Sequence, residues 1–183
     1  MINMYDDLER ILISREAIQN RVKELAKQLD AEYKDSVPLL VCVLKGSVMF
    51  FADLIREMKI PVNLDFISIS SYGSGTKSSG EVKFLKDLDS RIEGRDVIIV
   101  EDILDTGYTL SYLKRTLMSR QPKSLKLCCL LDKPSRREVE IYPDYCGFAV
   151  ENLFVVGYGL DYDQKYRNLP EIGVLKPSVY ENN

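Results

Sequence analysis

Histidine is absent from all 183 residues, which excludes Ser-His and Cys-His nucleophilic catalysis and every metal site built on imidazole. The four cysteines, Cys42, Cys128, Cys129 and Cys146, have no C-x-x-C spacing. Three of them sit in apolar strand-like runs, where a thiol acts as a small hydrophobe, so all four read as reduced thiols of a cytoplasmic chain. No apolar run approaches the ~18 residues of a membrane span, and Met1 to Arg10 carries acid where a signal peptide carries base. Neither a membrane partner nor a targeting segment is expected. The net charge of −3 lacks the basic excess that phosphate-backbone binding demands, so no nucleic-acid partner is expected either. Repeats, low-complexity tracts and linker-like shifts in composition are also missing. What remains is 45% hydrophobic and 29% charged, an ordinary globule, and residues 1–183 fit one domain.

The most informative stretch runs from Val97 to Thr109. Four consecutive aliphatics, Val97, Ile98, Ile99 and Val100, suit a central parallel strand covered on both faces. Glu101 and Asp102 then place two carboxylates at the strand's carboxyl end, the edge where open α/β sheets bind ligands. Asp105-Thr106-Gly107 turns the chain into a helix that begins near Thr109, and the free N–H groups of such a turn make an anion pocket suited to phosphate. Acids beside a phosphate call for a divalent cation between them, and Mg²⁺, which binds through one or two carboxylates plus substrate oxygens, is the natural candidate.

Three other segments carry chemistry by the same logic. Pro38 to Leu44 is a second aliphatic strand, and Lys45-Gly46-Ser47 follows it before an apolar helix from Val48 to Met58. Gly46 lets backbone approach a ligand and Ser47 can cap the helix, although a lysine in such a place is commonly just solvated. Val62 to Ser70 reads as a strand with Asp65 as a buried partner for a basic residue. The Ser/Gly-rich run from Ser70 to Gly80 contains little that can anchor a core and reads as a mobile loop. It is not a P-loop, because a residue separates Gly75 from Lys77 and no strand-to-helix frame surrounds it. Ser124 to Leu131 is a third apolar strand, ending in Asp132-Lys133-Pro134-Ser135-Arg136-Arg137, so three strands finish in charge at one sheet edge. Gly157-Tyr158-Gly159 lacks the third glycine of a dinucleotide fingerprint. Tyr145 to Ala149 and Leu153 to Val156 read as short strands of a small flanking subdomain. Towards the N-terminus, Ser14 can cap an amphipathic helix from Arg15 to about Ala31.

The run of aliphatics, two acids, two apolar residues and Asp-Thr-Gly-x-Thr at Val97 to Thr109 resembles the phosphoribosyl pyrophosphate (PRPP) signature of the type I phosphoribosyltransferases. Leu44-Lys45-Gly46-Ser47, Ser71-Tyr72, Lys133 and the segment from Phe154 to Pro170 narrow the resemblance to the hypoxanthine-guanine branch. The resemblance implies an α/β fold with a central, mostly parallel sheet flanked by helices. It also implies a small hood from about residues 1–15 and 145–183, and a mobile lid at about 70–83 in which Ser71 and Tyr72 close over the donor. The implied activity joins the 5-phosphoribosyl group of PRPP to N9 of a purine base, releasing pyrophosphate and a nucleoside monophosphate. In that frame Thr106, Gly107, Tyr108 and Thr109 hold the 5′-phosphate. Lys45 and Gly46 form a pyrophosphate loop in which the family's bond at the place of Leu44–Lys45 is often cis, leaving open whether it is cis here, with Lys45 contributing more through geometry than through charge. Arg167 contacts pyrophosphate, and Glu101 and Asp102 orient the ribose hydroxyls directly or through Mg²⁺-bound water. Asp105 is the general base, Lys133 donates to the purine O6, Phe154 stacks on the base and Val155 offers backbone groups to its edge. Asp161, beside the base, is a ligand of a second Mg²⁺. A homodimer or homotetramer follows from the resemblance alone. Two competing readings are a regulator of the same fold that senses PRPP or nucleotide, and a transferase acting on xanthine or a pyrimidine.

Overall fold

The computed structural model describes residues 3–71 and 82–181. A one-turn 3-10 segment, Met4–Asp7, leads into β1 (Leu8–Ile13). Ile18, Val22, Leu25, Ala26 and Leu29 recur at helical spacing and make one buried stripe on α1 (Arg15–Glu32). Ser14 caps it, its hydroxyl accepting from the Ala17 N–H at 3.2 Å. The chain then runs through β2 (Leu39–Leu44), α2 (Val48–Glu57), β3 (Asn63–Ser71), β4 (Val82–Lys86), β5 (Asp96–Leu104) and α3 (Tyr108–Met118). It continues through β6 (Ser124–Asp132), β7 (Tyr145–Ala149), β8 (Val155–Val156), β9 (Ile172–Leu175) and α4 (Pro177–Tyr180).

Six strands form the main sheet in the order β4-β3-β2-β5-β6-β7, parallel except for β4. Strand residues alternate between two cores, as the period of two requires. Leu40, Cys42, Ile98, Val100, Cys128 and Leu130 pack under α1 and α2. Leu39, Val41, Val43, Val97, Ile99, Leu127 and Cys129 pack under α3 with Ile92 and Ile141. Burying each such side chain contributes about 1.5–3 kcal/mol. Because the parallel strands share one direction, the carboxyl ends of β2, β5 and β6 come to one edge. The hood is a separate three-stranded sheet in the order β1-β9-β8, which joins both ends of the chain.

Four local expectations change. The central strand does not stop at the acids: Glu101, Ile103 and Leu104 continue the ladder opposite Cys129, Leu131 and Asp132, because β6 is equally long. Tyr145 to Ala149 belongs to the main sheet rather than the hood, pairing parallel with β6, while Arg21 donates to the carbonyls of Cys146 and Gly147 at 2.7 and 2.9 Å. Ser47 is fully buried and makes no cap; its hydroxyl donates back to the Val43 carbonyl at 2.6 Å. Asp65 is buried, but chiefly accepts from the backbone N–H groups of Phe66, Asp89 and Ser90, with the Lys86 ammonium at 3.7 Å. Most of the expected lid, residues 72–81 with Tyr72, lies outside the described residues, and Ser71 closes β3.

Candidate functional site

The strand ends set the site's geometry. β5 carries Glu101, buried, and Asp102, half-buried, into the edge of the sheet. Burial, and then the neighbouring Asp102, pushes the Glu101 carboxyl well above the usual carboxylate range. Burial raises Asp102 as well, against the pull of the Arg167 guanidinium. This is an acid pair short of positive charge. After β5 the chain turns through Asp105 and Thr106 to Gly107, which begins α3 at φ +92° and whose missing Cβ would lie 2.6 Å from the Ile141 side chain. Glycine is therefore required there on two grounds. The first-turn N–H groups of α3, among them Tyr108 and Thr109, lack intrahelical acceptors by the geometry of a helix start. They border a hollow of about 180 Å³ lined by Glu101, Ile103, Leu104, Asp105, Thr106, Gly107, Thr109 and Leu110.

Two loops close on this edge. At the end of β2 the Leu44–Lys45 peptide is cis, and an added Cβ on Gly46 would lie 1.6 Å from Asp102 Oδ2. On the hood, Gly159 is pressed against the same loop, its absent Cβ 1.9 Å from the Gly46 carbonyl oxygen. Arg167 donates to the Gly159 carbonyl at 2.7 Å and pairs with Asp161 at 2.8 Å. The Gln164 side-chain oxygen stands 3.4 Å from both Lys45 Nζ and the Arg167 guanidinium, and the Gln164 backbone N–H donates to the Asp161 carboxylate. Lys45, Gly46, Asp102, Asp161 and Arg167, scattered over the chain, thus meet in one place.

The β6 end supplies the other half. Lys133 is buried and its ammonium donates to the Leu153 carbonyl at 2.7 Å, immediately before Phe154. Burial pulls its pKa down, against the attraction of Asp105. Phe154 is 39% exposed, stacked on Tyr180 of α4 at 4.7 Å and edge-on to Tyr162 at 5.6 Å. Its carbonyl accepts from Leu175 N–H, so by antiparallel alternation Val155 turns its N–H and C=O to the outer edge of β8. Asp105 receives the Arg136 Nε–H at 3.1 Å on its carboxylate and an Arg137 N–H at 3.0 Å on its carbonyl. Arg137 also contacts the Asp132 carboxylate, bracing the turn.

Against known proteins, residues 12–163 match the family profile described as "Phosphoribosyl transferase domain". The chain belongs to the phosphoribosyltransferase family. It is 55% identical over 179 residues to the hypoxanthine-guanine phosphoribosyltransferase of Bacillus subtilis (strain 168), covering 98% of this chain and 99% of that one. It is 52% identical to the bifunctional protein TilS/HprT of Listeria monocytogenes serotype 4b (strain F2365), matching 97% of this chain but 28% of that longer protein. A crystal structure of a hypoxanthine phosphoribosyltransferase from Staphylococcus aureus superposes with a TM-score of 0.94 at 50% identity, covering 97% of this chain and 96% of that one.

Several residues at this phosphoribosyltransferase site carry no warning in their local sequence. Ile103 lines the phosphate-sized hollow because the strand continues past the acids. Tyr180 and Tyr162 flank Phe154 only through the folding of the hood. Arg136 and Arg137 stand out as charge after a strand, but nothing in that spacing predicts that both reach Asp105. Among the described residues no group of three or more carboxylates or thiols stands close enough to hold a metal by protein ligands alone.

The acid pair has a measurable signature. Glu101 has a folded pKa raised above its unfolded value, so its stabilising contribution is present below about pH 4.3 and is lost as pH rises through the folded pKa. Glu101→Gln removes that loss. The melting temperature of the ligand-free variant minus that of the native protein is expected to be near zero at acid pH and to climb towards pH 8. A flat difference across that range removes the assignment of Glu101 as a buried, charge-starved acid.

Proposed function

We propose that this chain transfers the 5-phosphoribosyl group from PRPP to N9 of a 6-oxopurine, hypoxanthine or guanine, in purine salvage, yielding IMP or GMP and pyrophosphate. The observation that carries this reading is the meeting of three loops, after β2, β5 and β6, with the hood around one edge. There, phosphate-binding backbone lies beside an acid pair and a buried lysine lies beside an exposed aromatic ring. The full-length identity to hypoxanthine-guanine phosphoribosyltransferases supports the same conclusion. Residues 1–183 act as one catalytic unit.

The N–H groups at the start of α3, with Thr106 and Thr109, hold the 5′-phosphate. Glu101 and Asp102 orient the ribose hydroxyls, and Lys45, Gly46 and Arg167 face the pyrophosphate. The charge-starved acid pair fits a divalent cation: Glu101 and Asp102 would hold one Mg²⁺ beside the ribose hydroxyls, Asp161 would hold a second beside the pyrophosphate, and their charge would ease its departure. Phe154 stacks on the base, Val155 meets its edge and Lys133 donates to O6. As the C1′–oxygen bond to pyrophosphate breaks and the N9–C1′ bond forms, Asp105 takes the purine's imidazole proton, exchanging its contact with Arg136 for one with the base.

Nucleotide formation from PRPP and Mg²⁺ with hypoxanthine, guanine, xanthine, adenine and uracil tests the reading. IMP and GMP are the expected products, and absence of both overturns it. In the same assay Lys133→Met is expected to cost about 10- to 100-fold in kcat/KM for hypoxanthine without lowering the residual rate with adenine. The reason is polarity: an ammonium opposes adenine's 6-amino donor, whereas a thioether does not. A variant that keeps the native ratio of hypoxanthine to adenine shows that O6 is read elsewhere.

A further inference from the structure

Asp53 and Tyr158 lie outside every role assigned above. Tyr158 sits between Gly157 and Gly159 in the hood, at φ +51° and 7% exposed. Its side chain does not stay in the hood. The phenol reaches across 105 positions of sequence to α2 and donates to Asp53 Oδ2 at 2.7 Å. Burial first, and the Asp53 carboxylate second, hold the phenol above its ordinary pKa, so it remains a donor at every working pH. Asp53 lies 3.7 Å from the exposed Arg56 one turn later, and both border a groove of about 800 Å³ between α1, α2 and the hood.

The bond joins the two elements that the pyrophosphate must bridge. α2 follows directly from the Leu44–Ser47 loop, so fixing Asp53 fixes the platform that carries Lys45 and Gly46. Tyr158 adjoins Gly159, which touches the Gly46 carbonyl and whose N–H donates to the Arg167 carbonyl at 2.9 Å. The Tyr158 N–H donates to the Leu169 carbonyl at 2.8 Å, closing a clasp that carries Asp161 and Arg167 between its arms. The purine side has hydrogen bonds of its own: the Phe154 carbonyl accepts from Leu175 of β9, and Lys133 donates to the Leu153 carbonyl.

We propose that Tyr158 and Asp53 are a positioning pair that sets the gap between the Lys45-Gly46 loop and the hood arm bearing Asp161 and Arg167, and so tunes affinity for the diphosphate of the donor and not for the base. The inference rests on the transferase reading and adds to it a control point that touches no substrate.

Steady-state kinetics in both directions on Tyr158→Phe, Asp53→Ala, Asp53→Asn and the Tyr158→Phe/Asp53→Ala double variant tests it, with melting temperatures alongside. Losing the donor or the acceptor is expected to raise KM for PRPP and for pyrophosphate about 5- to 20-fold, with KM for hypoxanthine within about twofold. Asp53→Asn, which keeps an acceptor oxygen, recovers most of the loss, and the double variant is no worse than the worse single one. Equal rises in both substrates' KM, additive losses, or an unchanged PRPP KM overturn the pair. Wild type is assayed in parallel: failure of wild type to make nucleotide overturns the transferase reading and the pair with it, whereas active wild type with unaltered variants overturns the pair alone.

Discussion

Asp105→Asn is expected to lower kcat with hypoxanthine by about 10² to 10⁴-fold, the range a well-placed general base contributes. Asparagine keeps the size of the side chain and an oxygen for the Arg136 Nε–H, which now sits at 3.1 Å, and leaves the bond from the Arg137 guanidinium to the Asp105 backbone carbonyl untouched. The α3 start and the Lys45-Gly46 loop are therefore undisturbed, and calorimetric affinity for PRPP with Mg²⁺ should stay within about threefold. What is lost is the negative charge proposed to accept the purine proton. Steady-state kinetics read the drop in turnover, and a single-turnover experiment confirms that it falls on the chemical step. A variant that turns over within threefold of the native rate would remove Asp105 from the proton's path. Arg136 sharpens the prediction. It is as exposed as its partner, 44% against 41%, so the pair is a weak surface contact that a bound base can displace.

The sequence reveals the parts of this site whose function is local. Four β-branched aliphatics and the Asp-Thr-Gly turn define β5, its acids and the helix start proposed to hold the 5′-phosphate within thirteen residues, and a strand ending in Lys-Gly identifies the second loop. Both are written in adjacent residues because their chemistry is backbone chemistry. The assignments that change are tertiary ones. Tyr145 to Ala149 has the composition of any short strand, and its choice of the main sheet over the hood is made by β6, whose free edge it covers. Ser47 looks like a cap until the fold buries it and its hydroxyl donates inward to the Val43 carbonyl. The hood strand β9, Ile172–Leu175, is too short to announce itself, and acquires its register only from β1 and β8 on either side. Tyr180 meets Phe154, and Tyr158 meets Asp53, across distances in sequence that no periodicity encodes.

Gly159→Ala is expected to be the methyl addition in the hood that most damages the donor site. At φ +102° an alanine pays roughly 1–2 kcal/mol in backbone strain alone. The methyl would also sit 1.9 Å from the Gly46 carbonyl oxygen, a backbone atom that cannot rotate away. Gly46 is itself crowded on its other side, where an added Cβ would lie 1.6 Å from the Asp102 carboxylate. Three groups from three loops are stacked without room for a methyl, so the hood must lift, carrying Asp161 and Arg167 away from Lys45. Overpacking of this kind adds about 1–3 kcal/mol, and the melting temperature should fall by roughly 5–15 °C. KM for PRPP should rise more than about 30-fold, as the two proposed pyrophosphate contacts are displaced together. Gly94→Ala is the control for strain alone: its φ is also positive, at +68°, but nothing lies within 4 Å of the added Cβ. That variant should lose about 1 kcal/mol of stability and none of its affinity for PRPP. If the two variants melt together and bind PRPP alike, backbone strain explains both, and the contact between hood and pyrophosphate loop is not what holds the donor site closed.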